Sequence, residues 1–219
     1  MCSCGLPSRK AFRLPPVYPI TDKRLAGRNS HLSIIRDLVR GGATLIQIRD
    51  KDTPDRELLI DLLRCAEYCE KHRVMLLVND RCDLALSSGA AGVHLGQGDL
   101  PTEAARSLLG RRKLIGLSTH TLAQLRRSKA LPVDYVGFGP VFATATKENA
   151  SPLVGIAGLR HACRESERPV VAIGGIGMER IREVLDAGAS SAAVISALME
   201  AGNPARTMEL MLKLATVRQ

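Results

Sequence analysis

Short apolar runs, each followed at once by a polar or glycine-rich stretch or by a helical segment, recur along this chain. Strands that alternate with helices form parallel sheets with right-handed crossovers. Eight such runs in 219 residues therefore predict the α/β class and a (β/α)8 TIM barrel. An open sheet of six or seven strands is the alternative. The predicted strands are Val17–Ile20, Leu45–Ile48, Met75–Val78, Gly92–Leu95, Leu114–Leu117, Tyr135–Phe138, Val170–Ile173 and Ala193–Ile195.

The segments between these runs have the apolar spacing of helices. Gly41 and Gly42 form a stop signal after the first helix, and Pro54 suits the first turn of the second. We predict one catalytic domain over residues 17–219, preceded by a flexible N-terminal extension over residues 1–16, where prolines and charges are scattered. The predicted helices are His31–Arg40, Asp55–Lys71, Thr121–Ala130, Ala157–Arg164, Met178–Ala187 and Pro204–Val217.

Composition narrows the possible partners. Hydrophobic residues make up 45% of the chain but aromatic residues only 3%, so an aliphatic core is expected, as in a parallel sheet buried on both faces. The formal net charge of +9 suits an anionic partner. Nucleic acid is not expected, because single-stranded nucleic acid stacks on exposed aromatic side chains and few are present. A membrane partner is not expected either, since no run of about 18 apolar residues occurs.

The six cysteines lack the spacing of a metal site, and the N-terminal residues lack the apolar segment of a secretory signal. We therefore expect reduced thiols and a cytoplasmic protein. The oligomeric state is left open, with a homodimer as one option.

Polar side chains gather at the end of the second predicted strand, in Gln47-Ile48-Arg49-Asp50-Lys51. Alternation along a strand places Gln47, Arg49 and Lys51 on one side. An arginine fork and a lysine together suit a diphosphate. The alternative is a solvated strand end.

Acidic residues follow the next two strands. Asp80 comes after Asn79, and Asp99 follows the fourth strand. Neighbouring strands of a barrel bring such carboxylates together, and Mg²⁺ prefers one or two carboxylates completed by water and phosphate oxygens. The pattern predicts a metal–diphosphate site, with ordinary turn residues as the alternative.

Four later strand ends carry groups suited to phosphate. Thr144-Ala145-Thr146-Lys147 offers two hydroxyls, an ammonium and backbone amides, unless it is only a surface loop. Gly174-Gly175 and Ile195-Ser196 follow the seventh and eighth strands, where barrels of this type often bind phosphate. Ser118 suits donation to phosphate, and His120 suits either acid–base work or a structural role. The other four histidines, His94 among them, are interpreted as structural or surface residues.

Taken together, the motifs resemble the thiamin phosphate synthase family over residues 17 to about 200. They are QIRDK, NDR, GVHLGQGD, IGLSTHT, DYVGFGPVFATATK and PVVAIGGI, in that order. The resemblance implies a Mg²⁺ site at Asp80 and Asp99 and catalytic roles for Arg49, Lys51, Ser118 and Lys147. It implies pyrimidine diphosphate binding by Gln47, Ile48, Arg49, Asp50, Lys51, Asn79, Ser118 and Lys147. It implies thiazole phosphate binding by Thr144, Ala145, Thr146, Gly175, Ile195 and Ser196.

The resemblance also implies a transferase with a dissociative mechanism. Diphosphate leaves the pyrimidine methylene carbon, and the thiazole nitrogen then attacks that carbon. The alternative is a thiazole tautomerase of the same barrel family that uses His120 as its acid–base residue. A barrel that only senses phosphate or thiamin is a further alternative, which the pair of acidic residues argues against.

Overall fold

The computed structural model describes residues 13–144 and 152–216. Its eight strands form a closed barrel in chain order, in which every neighbouring pair is parallel and β8 pairs with β1. This confirms the predicted (β/α)8 barrel and excludes the open sheet. The strands are β1 Val17–Thr21, β2 Leu45–Ile48, β3 Met75–Asn79, β4 Gly92–Leu95, β5 Leu114–Thr119, β6 Tyr135–Phe138, β7 Val170–Ala172 and β8 Ser191–Val194.

Helices surround the barrel, and two of them have the predicted bounds. The helices in the described part of the chain are α1 Lys23–Ala26, α2 His31–Arg40, α3 Asp55–Lys71, α4 Cys82–Ser87, α5 Thr102–Leu109, α6 Leu122–Ser128, α7 Gly155–Glu165, α8 Ile181–Asp186, α9 Ser196–Met199 and α10 Pro204–Thr216. The two with the predicted bounds, α2 and α3, are long, and each has a clear signal at one end. Four short helices (α1, α4, α5 and α9) were not predicted, since few residues give little periodicity. Met178–Arg180 forms a 3₁₀ turn that leads into α8.

The core has two parts. Aliphatic side chains between the sheet and the helices form the larger part, as the composition predicted. A smaller cluster fills the inside of the barrel and includes Tyr18 and Tyr135, two of the three tyrosines in the chain. Buried tyrosines need hydrogen-bond partners, so the barrel interior is partly polar.

The N-terminal residues from 13 onwards lie against the barrel. Leu14 is half-buried against the inner cluster, and the carbonyl of Pro16 accepts a hydrogen bond from Ala192 N–H at 2.9 Å. The rest of the predicted extension, residues 1–12, lies outside the described residues. No helix in the described ranges combines the length and the apolar character that crossing a membrane requires.

Candidate active site

A cavity of about 200 Å³ opens at the carboxyl end of the barrel. Parallel strands all point their carboxyl ends to this side, so the loops after them supply its wall. Apolar side chains line one part, among them Ile20, Ile173 and Ile176. The predicted site residues that line the cavity are Gln47, Arg49, Asn79, Ser118, His120, Thr144, Gly174, Gly175, Ile195 and Ser196.

Of the three side chains that alternation predicted on one side of β2, Gln47 and Arg49 line the cavity and Lys51 does not. The Gln47 amide nitrogen donates to the hydroxyl of Tyr18 at 2.7 Å inside the barrel. Arg49 lies on the cavity wall and donates to Asp22 at 3.2 Å, and both side chains are largely buried. Lys51 is more exposed and lies 3.6 Å from Asp80. Two cations therefore follow one strand, each beside a single carboxylate.

Asp50, predicted to contact substrate, faces the other way. Its carboxylate meets His31 Nε2 at 3.0 Å and Lys23 Nζ at 3.0 Å, and it accepts from the backbone N–H of Thr53. Burial raises the pKa of Asp50, but the hydrogen bonds from these groups outweigh that effect and hold the pKa well below its ordinary value. The structure thus places this carboxylate in a buried cluster behind the β2 end, and the side chain of Ile48 in the core between sheet and helices.

Asp80 and Asp99 come together, as the neighbouring strand ends predicted. Their carboxyl groups are within hydrogen-bonding distance. Burial, that hydrogen bond and the negative charge of Asp99 raise the pKa of Asp80 to about 6, against the opposing effect of Lys51. The backbone N–H of Gly96 donates to Asp99 at 2.6 Å. The two carboxylates are thus held close together although their like charges repel. A bound cation would relieve that repulsion.

Within the described residues, these two acids are the side chains that would hold a metal ion at this place. Among residues 13–144 and 152–216, no three His, Cys, Asp or Glu side chains cluster as a metal cage. Two carboxylates that leave most positions to water and phosphate oxygens fit Mg²⁺, which binds in this way where a phosphate substrate shares the metal.

His94 lines the cavity, although the sequence analysis interpreted it as structural or surface. It lies opposite Asn79 in the β3–β4 register. Its Nε2 is 2.9 Å from the Ser118 hydroxyl and its Nδ1 is 2.9 Å from the Tyr135 hydroxyl. The sequence does contain a signal for this position. His94 is the single polar residue in the apolar run Gly92–Leu95, and its neighbours Val93 and Leu95 face the helices, so His94 faces the inside of the barrel.

The ends of β6 and β7 meet closely. Gly174 and Gly175 have φ angles of +93° and +62°, and a Cβ at Gly175 would lie 2.9 Å from Phe142 Cβ, so this turn requires glycine. Thr144 lies on the cavity wall beside it. His120 donates from Nδ1 to the carbonyl of Gly139 at 2.7 Å. Ala145, Thr146 and Lys147 lie outside the described residues.

A family model described as thiamine monophosphate synthase matches residues 17–198, nearly the whole barrel. This chain belongs to the thiamine monophosphate synthase family.

Relatives of the thiamine monophosphate synthase family agree with that assignment. A thiamine-phosphate synthase of Albidiferax ferrireducens is 44% identical over 89% of this chain and 88% of the relative. Another, from Gloeobacter violaceus, is 47% identical over 80% of this chain, which spans 51% of that longer relative. The solved structure of a thiamine phosphate pyrophosphorylase from Pyrococcus furiosus has a TM-score of 0.83 and 35% identity, covering 91% of this chain and 94% of that one. This member of the family is therefore an enzyme of the transferase class.

Proposed function

We propose that this chain is a thiamin phosphate synthase. It joins 4-amino-2-methyl-5-hydroxymethylpyrimidine diphosphate to 4-methyl-5-(2-phosphoethyl)thiazole and releases diphosphate. The observation that carries the proposal is the meeting of Asp80 and Asp99 with Lys51, beside a cavity whose wall bears Arg49. This is the charge pattern that a leaving diphosphate requires.

The chemistry is substitution at the pyrimidine methylene carbon. The carbon–oxygen bond breaks, its electron pair leaves with diphosphate, and the electron-rich aminopyrimidine ring stabilises the resulting cation. The lone pair of the thiazole nitrogen then forms the new carbon–nitrogen bond. Within the described residues, Arg49, Lys51 and Ser118 are suited to neutralise or bind the charge that gathers on the leaving group. Groups of this kind are typically worth ~10² to 10³ in rate each. Lys147 joins this set on the resemblance alone.

Asp80 and Asp99 would hold Mg²⁺, a cation that would relieve the repulsion between these two neighbouring carboxylates. A bound Mg²⁺ would supply positive charge to the diphosphate. Lys51 lies beside Asp80 and is exposed enough to swing to a ligand. The chain's own part is thus to hold two carboxylates and an exposed ammonium on one side of the diphosphate.

The two substrates divide the cavity. We assign the pyrimidine diphosphate to Gln47, Asn79 and Ser118, together with Arg49 and Lys51, the two cations that follow β2. Ile48 and Asp50 would contact this substrate through their backbone atoms. The thiazole phosphate is assigned to the opposite wall, formed by Thr144, Gly175, Ile195 and Ser196. Ala145 and Thr146 extend that second set on the resemblance.

The test is a coupling assay with purified protein and both substrates, with and without Mg²⁺. Thiamin phosphate is followed by fluorescence after oxidation. Metal-dependent product supports the proposal. A folded protein that makes no product contradicts the proposal and favours the tautomerase alternative. The named relatives of this chain do not favour that alternative.

We also propose a cytoplasmic location and small phosphate-bearing partners, with neither nucleic acid nor membrane as a partner and a homodimer as one option for assembly. Free thiols support the location, since Cys65, Cys69, Cys82 and Cys163 form no disulfide. The net charge of +9 supports anionic substrates.

A further inference from the structure

A chain of buried hydrogen bonds crosses the barrel beneath the cavity. The amide nitrogen of Gln47 donates to the Tyr18 hydroxyl at 2.7 Å, and that hydroxyl is 2.9 Å from the hydroxyl of Tyr135. Tyr135 is in turn 2.9 Å from His94 Nδ1, and His94 Nε2 is 2.9 Å from the Ser118 hydroxyl. Both ends, Gln47 and Ser118, line the cavity, whereas the two tyrosines do not.

With the Gln47 amide nitrogen facing Tyr18, the protons in this chain of hydrogen bonds all run in one direction. Burial raises the pKa of Tyr18 and of Tyr135, so each keeps its single hydroxyl proton. Since Gln47 donates to Tyr18, Tyr18 donates to Tyr135, and Tyr135 donates to Nδ1 of His94. A neutral His94 then carries its proton on Nε2 and donates to Ser118. The Ser118 hydroxyl proton is left to point into the cavity.

The opposite arrangement is equally complete. If the Gln47 amide turns over, its oxygen accepts from Tyr18, and every later bond reverses. His94 then carries its proton on Nδ1, and the Ser118 hydroxyl donates its proton to Nε2. The two ends therefore change together: an acceptor offered by Gln47 goes with a donor offered by Ser118.

We propose that Tyr18, Tyr135 and His94 are positioning residues that couple the recognition of an anion at Ser118 to the recognition of an amino group at Gln47. An anion at Ser118 needs the Ser118 hydroxyl as a donor. That hydroxyl is free to donate only in the arrangement in which the Gln47 nitrogen faces Tyr18, and the Gln47 oxygen can then accept from an N–H of the ligand. This inference rests on the proposed function only for the identity of the ligand, since the pyrimidine diphosphate carries both groups. A 4-oxo analogue would demand the opposite amide orientation and would disturb the whole chain.

The first test needs no ligand. Histidine labelled with ¹⁵N reports which ring nitrogen carries the proton, and a His94→Asn variant assigns the signal among the five histidines. We expect His94 in the free protein to be neutral and protonated on Nε2. In Tyr135→Phe, which keeps the ring but removes the hydroxyl donor, the Nε2-protonated fraction should fall. A His94 protonated on both nitrogens, or a His94 whose proton position is the same in the wild type and in Tyr135→Phe, overturns the proposal.

The second test compares the binding of the 4-amino pyrimidine diphosphate and its 4-oxo analogue by calorimetry. Tyr135→Phe leaves both the Gln47–Tyr18 and the His94–Ser118 contacts intact but breaks the link between them. We expect the preference for the amino compound to drop about tenfold, as couplings through a shared network do. Tyr68→Phe, on the outer helix α3, is the matched control and should keep the preference. An unchanged preference in Tyr135→Phe overturns the proposal.

A failure of this inference can be distinguished from a failure of the proposed function. A wild-type protein that binds neither pyrimidine contradicts the substrate assignment, while the ¹⁵N measurement on the free protein still decides the proton arrangement.

Discussion

Each charged side chain at the β2 end has a partner from another part of the chain. Arg49 is held by Asp22, and Asp50 is held by His31 and Lys23. Such partners restrict rotamers, and a restricted guanidinium loses less entropy when it binds an anion. Order at this strand end therefore depends on residues that do not touch the cavity.

Replacing Asp80 with asparagine should remove Mg²⁺-dependent turnover, lowering kcat/KM by ~10² or more, because one anionic ligand is lost. The fold should survive, since asparagine has nearly the same shape and removes one of two like charges that meet there. The measurement is kcat and KM against Mg²⁺ concentration. Asp83→Asn, on an exposed surface pair with Arg81, is the control. Normal turnover with an unchanged metal requirement in Asp80→Asn would remove the metal assignment.

Replacing Asp50 with asparagine should cost about 3 kcal/mol of unfolding free energy at neutral pH, as breaking a buried pair does. The pKa of Asp50 is lower in the folded state than its ordinary 3.8, so its stabilising effect is present above that value and is lost as the pH falls through and below it. The difference in unfolding free energy between the wild type and the variant should therefore begin to narrow as the pH falls below about 4.

Urea unfolding from about pH 3 to about pH 7 measures both curves. Asp52→Asn changes a neighbouring but exposed carboxylate and should behave as wild type. Parallel wild-type and Asp50→Asn curves over the whole range would show that the buried cluster contributes no linked stability.

At the scale of the elements, close approach between β5 and its neighbours shapes the barrel interior. A Cβ on Gly116 would overlap the ring of Tyr135 and Nδ1 of His94. The absence of a side chain there lets those two rings meet. A glycine in a strand often marks such an approach.

Gly116→Ala should therefore destabilise the protein by about 1–3 kcal/mol, since the added methyl group forces the buried rings apart. It should also weaken pyrimidine diphosphate binding, because the displaced rings support Ser118. Chemical denaturation and calorimetry provide the two readouts. Gly202→Ala, where a Cβ meets nothing within 4 Å, controls for the substitution itself. Wild-type stability in Gly116→Ala would mean that the rings shift at no cost.

For the whole molecule, the formal net charge is +9, and the cavity is proposed to take two anions. Long-range attraction of this kind accelerates encounter and is screened by salt. Raising the ionic strength from about 0.01 M to about 0.15 M should lower kcat/KM several-fold, with kcat much less affected. Steady-state kinetics at fixed Mg²⁺ measures this. A kcat/KM that does not respond to salt would show that the net charge does not steer the substrates.

The sequence by itself determined the barrel. Alternating apolar runs and helical segments allow few other arrangements, and α2 and α3 carry enough periodicity to be bounded correctly. The short helices such as α4 and α9 were missed, because their few residues are held in place by packing and by strand ends rather than by a pattern of their own. The side of the barrel that bears the polar groups was also predictable, since it follows from strand direction alone.

Only the tertiary structure decided which side chains meet. Alternation placed Gln47 and Arg49 on one face, but the turn after β2 carried Asp50 back to His31, 19 positions earlier in the chain. His94 has no neighbour in sequence that hints at Ser118 or Tyr135, which lie 24 and 41 positions away. Contacts between distant strand ends depend on barrel closure and register, and these are properties of all eight strands together.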